Sequence, residues 1–400
     1  MDLELNKLSS FDTSLESLSN AAEKLNEIAT LATESLESGG LHNSALAFCN
    51  IALESYGAPT IESTALVAMP REKTTADLVD SAKEGVKKVI EHVLEMMKKL
   101  WEWVKEFAKN VTDASHRLKS DFEKLHKQIS EYNGVVSNAD KLELKEGVAA
   151  RLAWGDKGTS YDLTQGLHFH TNMVEDLSQV ALVNGRRLSH AVFKMYEQAM
   201  KSVGTTGFLP TSLDQGLIVE KIPGFTTMPY KDFRGVEVVR HVSPQLPGNA
   251  QIVFVTIGHQ SSKSMRAYGS GADILDALAV CNVEPYREET KEVGEPKVVD
   301  LGKLSAIAKE GALLADRLQV VINADMHELD NISRQLNVCI GNLHRSYTTG
   351  SSKAAFALSG VSRLATKTPS VVCGISMNYA RAVYDHVHAC FEAQTVKEAA

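Results

Sequence analysis

The residues best suited to chemistry in this 400-residue chain are few and widely spaced. Two His-x-His pairs occur, His168/His170 around Phe169 and His386/His388 around Val387. On a helix, positions i and i+2 face different sides, so the second pair is not placed to share a metal ion. The first pair could share one if extended, but no neighbouring Asp, Glu or Cys completes a recognisable ligand set. The simpler reading is of ordinary polar or half-buried histidines, and neither metal nor cofactor is expected. Tyr268-Gly269-Ser270-Gly271-Ala272-Asp273 holds a Gly-x-Gly but lacks the third glycine of a dinucleotide loop, and reads better as a turn before a helix. The nucleophile-elbow, zinc-protease and phosphate-loop patterns are missing, so no catalysis is expected.

Five cysteines, Cys49, Cys281, Cys339, Cys373 and Cys390, stand far apart with no Cys-x-x-Cys pair. That spacing suggests neither a disulfide framework nor a zinc site, and fits synthesis in a reducing cytoplasm. Met1-Asp2-Leu3-Glu4 opens without the basic and apolar regions of a signal peptide. Trp101-Glu102-Trp103 lies among lysines on an amphipathic stretch, a pattern that can mark a membrane surface. Yet Glu and Lys are nearly balanced there, and anionic lipid favours a basic excess. Packing against a partner helix is the preferred reading. A membrane-active or translocated effector is the alternative.

Charge is informative once placed along the chain. Residues 1–62 carry ten acidic residues and two basic ones, a balance of −8 that equals the formal charge of the whole protein. Residues 63–400 carry 40 of each sign. Beside packed DNA, an acidic segment adds repulsion and releases no counterions. Several small-x-Glu triplets fall in this acidic part, among them Ala32-Thr33-Glu34, Ser35-Leu36-Glu37 and Ala52-Leu53-Glu54. Glu62 follows Thr60-Ile61 and departs from the small-residue pattern.

The elements that must position these groups are mostly helices. Ala, Leu, Glu, Lys and Ser dominate many stretches, and aromatic content is only 6%. Residues 1–57 read as two acidic amphipathic helices, near Ser14–Glu37 and Asn43–Glu54, broken at Gly39-Gly40 and stopped at Gly57-Ala58-Pro59. Residues 58–75 read as an exposed linker. A long helix is predicted over 76–133. Its seam runs through Val86, Ile90, Val93, Met97, Leu100, Val104, Phe107, Val111 and Ala114, with steps alternating four and three. Beyond Ala114 two steps of four mark a phase slip.

Residues 140–400 read as a helical domain with a Pro/Gly-rich β insertion at about 204–300. Strands are predicted at Val236–Val242 and Ile252–Ile257 around a 244–249 loop. Helices are expected near Thr171–Ser202, over 301–346, and near Ser352–Ala365 and Ser370–Ala393. The fold class is mainly α, with long amphipathic helices in a bundle and a small β-hairpin insertion, hence α+β. The long helix is expected to pack against 171–202 and 301–346.

This order of parts resembles the internal head, or inner-body, virion proteins of giant phiKZ-type tailed phages. The resemblance is carried by the acidic Ser-Leu-Glu-Ser-rich start, by Ala52-Leu53-Glu54-Ser55-Tyr56-Gly57, and by the Lys/Trp/Val run from Val86 to Val111. It is clearest over residues 1–130. It implies a structural protein made as a precursor with an acidic propeptide, cut by a prohead protease after Ser/Ala/Gly-x-Glu. Carried onto this chain, Glu54 ranks first, then Glu37 and Glu34, with Glu62 lower. The resemblance further implies a place in the capsid interior and ejection with the DNA. It also implies partners among other head proteins, the protease and, without sequence specificity, the packaged DNA. Self-association is a further expectation.

Overall fold

In the computed structural model the described residues are 21, 24–25, 27–29, 31–32, 34–36, 38–136, 142, 144, 147–154, 162–176, 222, 224–231, 236–248, 250–257, 276–287, 297–343 and 349–395. At 94, 100, 104 and many positions from 324 to 366 only the backbone is described.

The acidic segment is helical at its described positions between 21 and 36, and again in α1, Asn43–Ser55. Gly39, Gly40 and Gly57 adopt φ of +88°, +86° and +67°, the left-handed region that stops helices and favours glycine. Helix α2 is short, Ser63–Ala68, and α3 runs from Arg71 to Glu131. The stretch expected as an exposed linker thus contains α2 and the first turn of α3. Ala58, Ile61, Leu66, Thr74 and Thr75 within it are buried. Pro70 stands immediately before α3, where a missing N–H costs nothing, so it starts the helix and does not prolong the linker.

Helix α4, Val148–Leu152, precedes a four-stranded antiparallel meander. Its strands are β1 (Thr226–Lys231), β2 (Glu237–Val242), β3 (Ala250–Thr256) and β4 (Asn282–Arg287), in that spatial order. The predicted pair of strands is β2 and β3, with Val242 opposite Val253. Their loop is anchored by Gly248 N–H donating to the Ala153 carbonyl at 2.8 Å, and by Trp154 Nε1 donating to the Gln245 carbonyl at 3.0 Å. The two edge strands contain Pro229 and Pro285, as edges permit.

Two long helices follow, α5 (Leu301–Leu343) and α6 (Thr349–Gln394). Where a break near 366–369 was expected, α6 continues through Pro369. Residues 367–380 are buried throughout, so tertiary packing outweighs the lost backbone bond. Of the two partners expected for the long helix, α5 is one; α6 also packs on it, and most of the other, 171–202, lies outside the described residues. Residues 163–176 are helical, and the remainder of the helix expected to 202 lies outside the described residues.

Helix α3 runs antiparallel to α5. Lys105 meets Asp330 at 3.8 Å, Thr112 meets Asn323 at 3.4 Å, Lys119 meets Asp316 at 2.6 Å, and His126 meets the Ser305 carbonyl at 3.0 Å. It runs parallel to the end of α6, with Phe122 edge-on to Tyr384 at 5.3 Å and Tyr132 edge-on to Phe391 at 5.8 Å. The α3–α5 register brings Leu343, the last described residue of α5, level with about His92. The first third of α3 therefore projects beyond the described part of α5.

Candidate functional site

The acidic segment covers that projecting third. Leu78, Val79, Ala82, Val86, Val89, Ile90 and Val93 of α3 are all buried. From the segment, Leu25, Ala32, Leu46, Cys49 and Leu53 are buried in the same continuous core, joined by Ala58, Ile61 and Leu66. Gly85 marks the closest approach. A Cβ there would come within 2.5 Å of the Ala58 Cβ and 3.2 Å of Leu25 Cδ1. Only a residue without a side chain lets the two layers meet at that depth. The segment read as detachable is therefore docked, and its described contacts are with the first third of α3 and the turn that precedes it.

Two polar fastenings fix the register. Leu41 N–H donates to Thr75 Oγ1 at 3.0 Å, and that hydroxyl donates to the Arg71 carbonyl at 2.6 Å. Gly40 lies over the same turn, where a Cβ would sit 2.7 Å from the Arg71 oxygen. Further along, Asn50 grips Ile61 at both backbone atoms. Its Oδ1 accepts from Ile61 N–H at 2.7 Å, and its Nδ2 donates to the Ile61 carbonyl at 2.8 Å. No motif in the sequence announces this clamp; the two residues are eleven apart and meet only because the chain turns back after Gly57.

The glutamates of interest fall on this layer. Glu54 is exposed in the last turn of α1, its carbonyl accepting from Gly57 N–H at 3.0 Å, while Leu53 beside it is buried. Glu34 is exposed on the first helical stretch, and Glu37 lies outside the described residues. Glu62 is exposed at the start of α2 with extended backbone, φ −55° and ψ 137°. Its neighbour Ile61 is the residue that Asn50 holds. The outer face of the layer shows Leu31, Phe48, Ile51 and Val67 to solvent.

The seam of α3 is placed as follows. Val86, Ile90 and Val93 lie under the acidic segment or at its edge. Met97, Phe107 and Val111 are buried further along, and Ala114 is half-buried. Leu100 and Val104 are described by backbone alone. Trp101 is buried with the Lys105 ammonium 5.6 Å from its ring centre, and Trp103 is half-buried and stacked on Phe107 at 5.3 Å. No helix among the described residues is long and apolar enough to cross a membrane.

The histidine pairs are separated by their surroundings. His168 is exposed and meets Glu310 at 3.0 Å. His170 is fully buried, with Nδ1 3.0 Å from the Ser376 hydroxyl, Nε2 3.3 Å from the Pro247 carbonyl, and its ring stacked on Tyr379 at 4.6 Å. His386 is buried beside Cys390 at 3.5 Å, whereas His388 turns to Glu392 at 3.4 Å. Burial pulls His170 and His386 down to about 4 and keeps them neutral. Cys49, Cys281, Cys373 and Cys390 are free and buried, and desolvation raises the Cys281 thiol to about 12. A thiol in that state is a poor nucleophile. Among the described residues no group of three or more His, Cys, Asp or Glu could hold a metal ion. The Gly269-x-Gly271 turn lies outside the described residues.

A groove of about 440 Å³ opens between α3 and α6, lined by Asp113, Arg117, Asp121, Arg381, Tyr384 and Asp385. Its acids and bases alternate along both helices.

A model of the family described as phiKZ-like phage internal head proteins matches residues 1–337. No curated protein matches the chain, and no solved structure does.

Proposed function

Since this chain belongs to the phiKZ-like phage internal head proteins, we propose that it is made as a precursor and loses its acidic leader in the prohead by cleavage after Glu54. The family places it inside the virion capsid as a structural protein, in contact with other head components. The finer reading concerns maturation. The observation that carries it is the charge division: the whole formal charge of −8 resides in residues 1–62, ahead of a body with 40 residues of each sign. Cleavage after Glu54 removes nine acidic and two basic residues. The remaining body, near neutrality, lies beside packaged DNA through scattered Lys and Arg without reading its sequence. Glu37, Glu34 and Glu62 are the secondary positions, and Glu62 is the one with backbone already extended. The mature protein leaves the head with the DNA. The role is one of packing and contact, with no reaction assigned to it.

Terminal-peptide mass spectrometry on purified particles tests this. A semi-tryptic peptide beginning at Ser55 is the expected product. Chains beginning at Met1 throughout mature particles would sink the precursor reading.

A further inference from the structure

We infer that the leader is an intramolecular cap over a self-association face, and that its removal exposes the first third of α3 to pair with the same face of a second copy of this chain. The inference rests on the precursor reading only for its timing. Its physical basis is the division of cover along α3. The described part of α5 reaches to about the level of His92, and α6 meets α3 in aromatic contacts at Phe122 and Tyr132. Between Thr74 and Val93 the described cover comes mostly from the leader, with Leu25 against Gly85, Leu41 against Thr75 and α1 along the face, and in part from Ala58, Ile61 and Leu66, which stay with the body. Most of those covering residues lie before Glu54.

Without the leader, Leu78, Val79, Ala82, Val86, Val89, Ile90 and Val93 would lose most of their described cover along a helical strip of 16 residues. A contiguous apolar patch of that kind marks an association site. Steps of three and four suit it to another helix with the same spacing. The leader is also an electrostatic obstacle. Two intact chains bring two strongly acidic leaders together, whereas two cut chains bring bodies that are nearly neutral. One event thus removes most of the cover and the repulsion together. It supplies strip and partner in equal number, because each cut copy carries one strip. The contact is isologous, the same patch on both copies, and so closes as a dimer.

The test uses the full chain with the recognition site of an unrelated protease placed at Ser55–Pro59, so that it does not depend on which bond the phage enzyme cuts. Light scattering after size exclusion is expected to report one chain's mass before cutting and twice the body's mass afterwards, with the leader eluting separately. Val86→Asp in the cut protein should hold the mass at one body, with circular dichroism confirming retained helix. Asn50→Ala, which loosens the leader without cutting it, should shift the intact chain toward dimer with increasing concentration. A cut protein that stays at single mass, leader bound or gone, would overturn the proposal, as would an intact chain already dimeric at the same concentration. Neither result bears on whether Ser55 is the native terminus in particles.

Discussion

His170 shows what burial does to a residue that looked suited to chemistry. Its Nε2 faces a carbonyl and must carry the proton, so Nδ1 accepts from Ser376. Both nitrogens are occupied and the ring is sealed against Tyr379, which leaves the group to hold the 163–176 helix, the hairpin loop and α6 together. Desolvation is the main cause that depresses its affinity for protons to about 4, and His386 behaves alike. In the unfolded chain both return to about 6.5. Below that value the unfolded state binds protons that the native state refuses, so stability is full above pH 6.5 and falls as the pH drops toward 4. Each histidine should account for a loss of about 2 kcal/mol between pH 7 and pH 5. Urea unfolding at the two pH values measures it. His170→Gln should lower stability at pH 7 and shrink the pH-dependent loss by about 2 kcal/mol. An unchanged loss in that variant would mean that His170 is not the group resisting protonation.

At the scale of elements, the α3–α5 contact turns on a residue that sequence patterning treats as a defect. Gly311 sits inside α5, where glycine costs about 1 kcal/mol relative to alanine. Its absent side chain is filled by Phe122, for a Cβ there would lie 2.4 Å from the ring's Cζ. Gly311→Ala should therefore destabilise the protein by about 1–2 kcal/mol despite the better propensity, since overpacking a buried contact outweighs it. Gly302→Ala, where the nearest atom is Asp300 Oδ1 at 3.7 Å, should be neutral or slightly stabilising in the same urea titration. A loss at both positions would point to backbone effects, not to the aromatic ring. The seam that carries Phe122 was legible because burial repeats every three to four residues, and the β2–β3 hairpin because its apolar runs flank a Pro/Gly loop. Strands β1 and β4 were not legible. Each contains a proline that argues against a central strand, and position at the edge is a property of the sheet, not of the segment. Pro369 misled in the same way, since the packing that carries α6 through it comes from distant residues. The leader's amphipathic helices could be read locally, but nothing in their pattern said which surface they cover. The α3 seam was read as an interface for a partner helix, and the chain's own beginning packs on part of it.

For the molecule as a whole, docking and cleavage must be ordered events. A protease binds several residues in extended form, and a bond inside packed structure is reached only through local opening. Glu54 ends a helix whose Leu53 is buried and whose terminal carbonyls are bonded to Tyr56, Gly57 and Ala58. Glu62 is extended, but Ile61 next to it is buried and held at N–H and carbonyl by Asn50. Both bonds therefore wait on one opening, and Asn50 is the residue that restrains it. Losing two half-buried hydrogen bonds weakens such a closure by about 1–2 kcal/mol, so Asn50→Ala should speed cutting by roughly tenfold. Limited digestion of the folded chain with a glutamate-specific protease measures this. The variant should release its leader at Glu54 or Glu62 about ten times faster than the parent, with cleavage at Glu131 unchanged as an internal control. Equal rates at the leader would show that the apolar contact with α3 alone governs release. In that event Gly85→Ala, which drives a methyl group into Ala58 and Leu25, is the change that should accelerate it.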